Sequence, residues 1–149
     1  MHLAAFPIGP ERVATLIPHA GAMRLIDQVD AAASEEIVCS SRSHLSLDNP
    51  LRVNGMLPAS AAIEYAAQAM AIHAAIIQGG PPRRGVLVVA SGVTWSGDRL
   101  DATEAPVIVR ATRLASMAGS AQYAFTVSAG TDVEVAGTLT LQLEAEAEA

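Results

Sequence analysis

The chain has 149 residues, a net charge of −6 and a hydrophobic fraction of 51%, with nine Arg and no Lys. An acidic chain with scattered Arg is not a nucleic-acid binder by charge. A lone Cys39 excludes an intrachain disulfide and a multi-Cys metal site, and a reduced thiol fits a cytoplasmic protein.

In chain order, Pro7 to Leu16 reads as a short helix or turn, followed by Ile17-Pro18-His19. Met1 to Arg12 lacks a basic start and an apolar run, so no signal peptide is expected. Met23 to Ala33 and Glu36 to His44 read as two extended stretches. A loop from Leu45 to Leu57 carries the turn formers Asp48-Asn49-Pro50 and Asn54-Gly55.

Pro58 suits the first turn of a helix, where a missing N–H costs nothing. From Ala59 to about Gln78, Ile63, Ala67, Met70, Ala74 and Ile77 recur at steps of three and four, which predicts one helical face. This most apolar stretch also holds Glu64, Gln68 and His73, groups a bilayer disfavours, so it reads as a core helix and no membrane span is expected. Gly79-Gly80-Pro81-Pro82 ends the helix.

Four strand-like runs follow. Val86 to Val93 is nearly continuous in apolar residues, which predicts burial on both faces. Pro106 to Met117 and Ser120 to Ala129 flank a short Ala118-Gly119 turn. Val133 to Leu143 alternates with period two, and an Ala/Glu tail from Glu144 to Ala149 reads as disordered. Two strands, one long helix and four strands predict an α+β domain over 1–149, an antiparallel sheet around one helix.

Two stretches carry the polar residues of interest. One is Ile17-Pro-His-Ala-Gly-Ala-Met-Arg-Leu-Ile-Asp-Gln-Val29; the other runs from His44 through Leu57-Pro-Ala-Ser-Ala-Ala-Ile-Glu-Tyr-Ala-Ala-Gln68. With Trp95, Gly97-Asp98 and Leu100, they resemble the 3-hydroxyacyl-[acyl-carrier-protein] dehydratases. Asn49-Pro-Leu-Arg52 and Ile63-Glu-Tyr-x-Ala-Gln-Ala69 resemble most the dehydratase-like subunits of aryl-polyene clusters.

The resemblance implies a hotdog fold and a dimer, of the chain with itself or with a related hotdog subunit. It implies an acyl carrier protein as the substrate's bearer; no cofactor is expected, and no pair of His, Cys or acidic residues has metal-ligand spacing. His44 takes the place of the catalytic His and Glu64 that of the catalytic acid, the two coming from opposite subunits. Pro58, Ala59 and Gln68 fall at the substrate-binding start of the helix. Two departures stand out: Ala59 replaces the family's helix-start Gly, and the loop between His44 and the helix is longer.

The chemistry needs two groups. A neutral His44 can remove the α-proton of a 3-hydroxyacyl thioester. Glu64 can donate to the departing hydroxyl if enclosure keeps it protonated, and N–H groups at the helix start can hold the thioester oxygen. Ala59 retains an N–H for that purpose. Against these stand plainer readings: a strand-end surface His44, a Glu64 satisfied by Gln68, a structural His19, a packing His73, and Arg83, Arg84, Arg110 and Arg113 as solvated charge rather than carrier-protein contacts. A hotdog thioesterase and a non-catalytic partner subunit share the expected fold, which cannot separate them.

Overall fold

The computed structural model describes residues 6–79 and 85–143. Arg83, Arg84, the Gly80-Pro81-Pro82 stop, His2 and the tail 144–149 lie outside the described residues. Pro10 opens a single helical turn, α1 (Pro10–Val13), which needs no N–H at that position. Extended segments then form β1 (Gln28–Ala32) and β2 (Glu36–Ser41). A 3-10 turn, Ser43–Leu45, holds His44, which therefore sits past the strand end rather than on it.

Pro58 lies extended, at φ −69° and ψ 156°, just before a 3-10 turn (Ala59–Ala61) that runs into the long helix α2 (Ala62–Gln78). Gly79, at φ 69°, stops the helix in a conformation that side chains disfavour. Strands β3 (Gly85–Ser96), β4 (Val107–Met117), β5 (Ser120–Ala129) and β6 (Val133–Leu143) complete the described chain. The sheet order is β1-β2-β4-β5-β6-β3, with every pair antiparallel.

Helix α2 packs on β2, β3, β4, β5 and β6, so the expected sheet around one helix is present. By length and composition Ala59–Gln78 could cross a membrane, but it is the core helix of this sheet. Ala62, Tyr65, Ala66, Ala69, Met70, Ile72 and His73 are fully buried against strand residues such as Val109, Val127, Val135 and Leu139. The predicted stripe is one helical face, with Ala67, Met70 and Ala74 in the buried core, but it is not the deepest side of the helix. Ile63 and Ile77 are half-buried, and Ala67 and Ala74 keep a trace of exposure; only Met70 belongs to the deepest face. The helix is apolar nearly all round, and periodicity picked out its less covered side.

The expectation for β3 is also corrected. Val89 is 50% exposed and Ala90, Ser91 and Gly92 are exposed as well, because β3 is a sheet edge paired only with β6. An apolar strand with an open edge invites pairing with another chain.

The β3 end returns to the helix start through a turn at Gly97, which has φ +83°. A Cβ there would meet the Asp132 carbonyl and come within 2.6 Å of Val133 Cγ2. Gly97→Ala is expected to destabilise the chain by roughly 1–3 kcal/mol through overpacking, with backbone strain added. The midpoint of urea unfolding checks this. An unchanged midpoint would show that the Gly97 turn is not constrained as described.

Candidate active site

The loop from His44 to Leu57 is a built structure rather than a slack insertion. One arginine-aspartate contact, Arg52 with Asp101, and the Tyr65 hydroxyl organise it. Asn49 Nδ2 donates to the Ser43 carbonyl at 3.0 Å and to Tyr65 OH at 3.1 Å. Ser43 Oγ lies 2.7 Å from the same hydroxyl and 2.6 Å from the Leu25 carbonyl, which Ser41 Oγ also engages. Leu25 N–H in turn donates to Gln68 Oε1 at 2.9 Å, and Gln68 Nε2 donates to the Met23 carbonyl at 2.8 Å. Tyr65 and Gln68, three residues apart on α2, thus tie the helix to the segments on either side of His44.

That network spends the Gln68 amide. Both ends of it hold the Met23–Leu25 backbone, and the side chain is 1% exposed. Gln68 does not bond Glu64, so the plain reading of that pair is not what the structure contains.

Pro58 and Ala59 lie together at the helix start. Pro58 bridges Arg99 in antiparallel fashion; Ala59 N–H donates to the Asp98 carbonyl at 2.8 Å and Leu100 N–H to the Leu57 carbonyl at 2.9 Å. The expectation that Ala59 N–H serves a thioester is corrected by this pairing: the donor is already used. The next one, Ser60 N–H, has no partner among the described residues, and Ser60 is exposed. Helix starts leave such donors unspent, with a partial positive charge that favours developing negative charge.

Two histidines are fully buried, and their rings differ. His73 spends both nitrogens, with Nδ1 2.5 Å from Tyr123 OH and Nε2 2.8 Å from the Ala33 carbonyl. Its role is packing, as the plain reading has it. His44 spends one: Nε2 lies 3.2 Å from the Thr103 carbonyl, and Nδ1 is buried with no partner. A carbonyl only accepts, so Nε2 carries the proton and Nδ1 keeps its lone pair. Burial pushes the His44 pKa down, with the carbonyls of Thr103 and Ala105 opposing it. The ring is thereby kept neutral. His19 Nδ1 also lacks a partner, but that residue is half-exposed.

Glu64 is half-buried and makes no hydrogen bond or ion pair among the described residues. It follows Ser60 by one helical turn and precedes Tyr65 by about 100° of rotation. Tyr65 faces the His44 loop; Glu64 lies on the side that ends in Ala67, Ala71 and Ala74. No bond joins Glu64 to His44 within the chain. The enclosure an acid role calls for is not supplied by this chain alone.

Among the candidate cationic contacts, Arg113 is held by both carboxylate oxygens of Glu35 at 3.1 Å and by the Ser34 carbonyl, while Arg110 is exposed. No group of three or more His, Cys, Asp or Glu side chains that could hold a metal ion occurs among the described residues.

Comparison with known proteins bears on these features. Residues 11–149 match the family described as "ApeP-like: ApeP dehydratase". No curated relative matches in sequence. Among solved structures, the chain is similar to one in the dehydratase heterocomplex ApeI:P from Xenorhabdus doucetiae. The identity is 20%, the TM-score 0.79, and 96% of this chain and 94% of that one are covered. It is also similar to zebra fish thioesterase superfamily member 2, at 14% identity and TM-score 0.62, over 91% and 95% of the two chains. A protein described as a hypothetical thioesterase, from Streptococcus pneumoniae and with coenzyme A, matches at 9% and 0.56, over 80% and 87%. These likenesses fix the fold as hotdog; the family match separates dehydratases from thioesterases.

Proposed function

The chain belongs to the ApeP-like dehydratase family, and from that premise we propose that it dehydrates 3-hydroxyacyl groups on acyl carrier protein to trans-2-enoyl thioesters in the cytoplasm. His44 Nδ1 takes the α-proton, and a carboxylic acid from the facing subunit donates to the departing hydroxyl. Glu64 supplies that acid to the site across from it. Ser60 N–H, at the helix start, is the donor available for the thioester oxygen, with Pro58 and Ala59 shaping the turn that presents it.

The observation that carries this reading is the pair of buried histidines. The fold saturates His73 and leaves His44 with a neutral ring and a free lone pair. A buried polar atom without a partner costs about 1–3 kcal/mol, a cost consistent with a functional role. Dimerisation is supported separately. The open β3 edge, with Val89 and Trp95 exposed, and the less covered side of α2 carrying Glu64 are surfaces that a second hotdog subunit would cover. The ApeI:P assembly is a heterocomplex, which supports a related subunit as that partner.

The deciding experiment follows product identity. The chain, alone and together with a related hotdog subunit, is incubated with 3-hydroxyacyl carrier protein and the protein-bound product is weighed by mass spectrometry. Loss of water from the intact thioester is expected. Release of free carrier thiol without enoyl product would move the assignment to thioester hydrolysis. Activity absent from the chain alone but present in the pair would make it an obligate partner.

A further inference from the structure

Arg52 stands inside the long loop, and one guanidinium serves four groups in three stretches of chain. Its Nε donates to the Ser46 carbonyl at 2.8 Å, one terminal nitrogen to the Gly55 carbonyl at 2.6 Å, and the other to the His44 carbonyl at 3.0 Å. The nitrogen on Gly55 also lies 3.2 Å from Asp101 Oδ2. Both side chains are largely buried, at 11% and 6% exposure. Arg99 grips Asp101 from outside, at 3.0 and 2.8 Å, and holds its carboxyl well below the usual carboxylate range, so the anchor stays charged.

The position of Asp101 gives this arrangement its consequence. It lies in the 3-10 turn Leu100–Ala102, and Thr103, the residue directly after that turn, supplies the carbonyl that holds His44 Nε2. Arg52 therefore grips the backbone of His44 with one arm and, through Asp101, the segment bearing the ring's acceptor with the other. If either end moves, the ring loses the bond that fixes its tautomer. A lysine has no fork with which to hold these groups at once.

We propose that Arg52 is a positioning residue that sets the His44 ring in the Nε2–H form with Nδ1 unpaired, through the Arg52–Asp101 clamp. This deepens the dehydratase reading and rests on it for its catalytic meaning, while the state of the ring can be read without turnover. The charged groups acting on that ring are Asp101, from the clamp, and Arg42 from outside it.

The test uses the full chain with ¹⁵N-labelled histidine, the His44 signals being assigned by their loss in His44→Ala. In the wild type a single Nε2–H tautomer is expected. In Arg52→Lys, tautomers mix and the ring titrates nearer its ordinary value of 6.5. In parallel, kcat for enoyl formation falls on the order of 10–10²-fold, the cost of a misplaced group, while KM stays within about twofold. Arg113→Lys, which loosens a fork between β4 and Glu35, leaves the His44 signals unmoved. Asp101→Asn keeps the guanidinium but weakens its anchor and gives the same readout should Arg52→Lys not fold. Unchanged His44 signals in a folded clamp variant overturn the proposal, even if kcat falls. A ring that responds in a chain whose wild type forms no enoyl product, either alone or with a related hotdog subunit, supports the clamp and removes the dehydratase reading instead.

Discussion

In a dimer of the chain with itself, His44→Ala is expected to lower kcat for dehydration on the order of 10²–10⁴-fold, the range that one general base contributes. The loss falls on kcat, since the imidazole acts on the proton in flight rather than on binding. Stopped assays of enoyl formation measure it, with thermal unfolding showing that the variant is folded. Retention of more than a tenth of the activity would remove His44 from the mechanism. The wild-type pH profile carries the complementary prediction. A base must be unprotonated, and burial lowers the His44 pKa from its ordinary 6.5. The acid limb of kcat/KM should therefore lie below 6.5, with activity retained above it and lost as pH falls through the lowered value. Stability has the same sign. For both His44 and His73 the unfolded chain binds protons more readily, so their contribution is present above 6.5 and is lost as pH falls below it.

Much of the fold was legible in the residues because local rules governed it. Pro58 and Gly79 bracket the long helix, Gly119 marks a hairpin, and period two in Val133 to Leu143 gives β6. The burial reading of β3 failed, and the helix stripe is less covered than the rest of α2, for one physical reason. Apolar content in Val86–Val93 and along Ile63, Ala67, Ala74 and Ile77 signals that these surfaces are to be covered, but not by which chain. A single subunit leaves part of both uncovered.

The site was legible in part. His44 and Glu64 stood out as polar groups in patterned surroundings; what holds them did not. The acceptor that fixes His44 is a backbone carbonyl at Thr103, 59 positions away, and side-chain identity says nothing about it. Ala59 N–H was misjudged likewise, because its partner is the Asp98 carbonyl. Tyr65 and Gln68 differ from these cases. Both sit in the motif, and a tyrosine and an amide in an apolar helix need partners once buried; that need is a signal the motif offered, though it names no partner. Arg52 lay in Asn49-Pro-Leu-Arg52, a motif whose resemblance to relatives was visible while its purpose, closing the long loop around His44, was not.

Glu64→Gln is expected to abolish dehydration to a similar extent, on the order of 10²–10⁴-fold, because the amide keeps the shape and cannot deliver the acid's proton. The more informative result comes from mixing. Within one chain Glu64 turns away from the loop that Tyr65 engages, and His44 has no bond to it. If each site takes His44 from one subunit and the acid from the other, a self-dimer mixed from inactive His44→Ala and Glu64→Gln chains contains one intact site per mixed dimer. Random exchange makes half the dimers mixed, so activity should recover to roughly a quarter of the wild type. A site built within one chain recovers nothing. With a related subunit as partner the pattern changes: each variant of this chain silences one of two sites, and only the double variant silences both, provided the partner brings its own His and acid. If that partner lacks one of them, a single substitution here abolishes the activity of the pair or leaves it untouched, and which of the two is silent identifies the residue this chain contributes. Rates for the two single variants and the double variant, each measured alone and paired, therefore report the composition of the site as well as its chemistry. Full activity in Glu64→Gln under every pairing would exclude Glu64 as the acid.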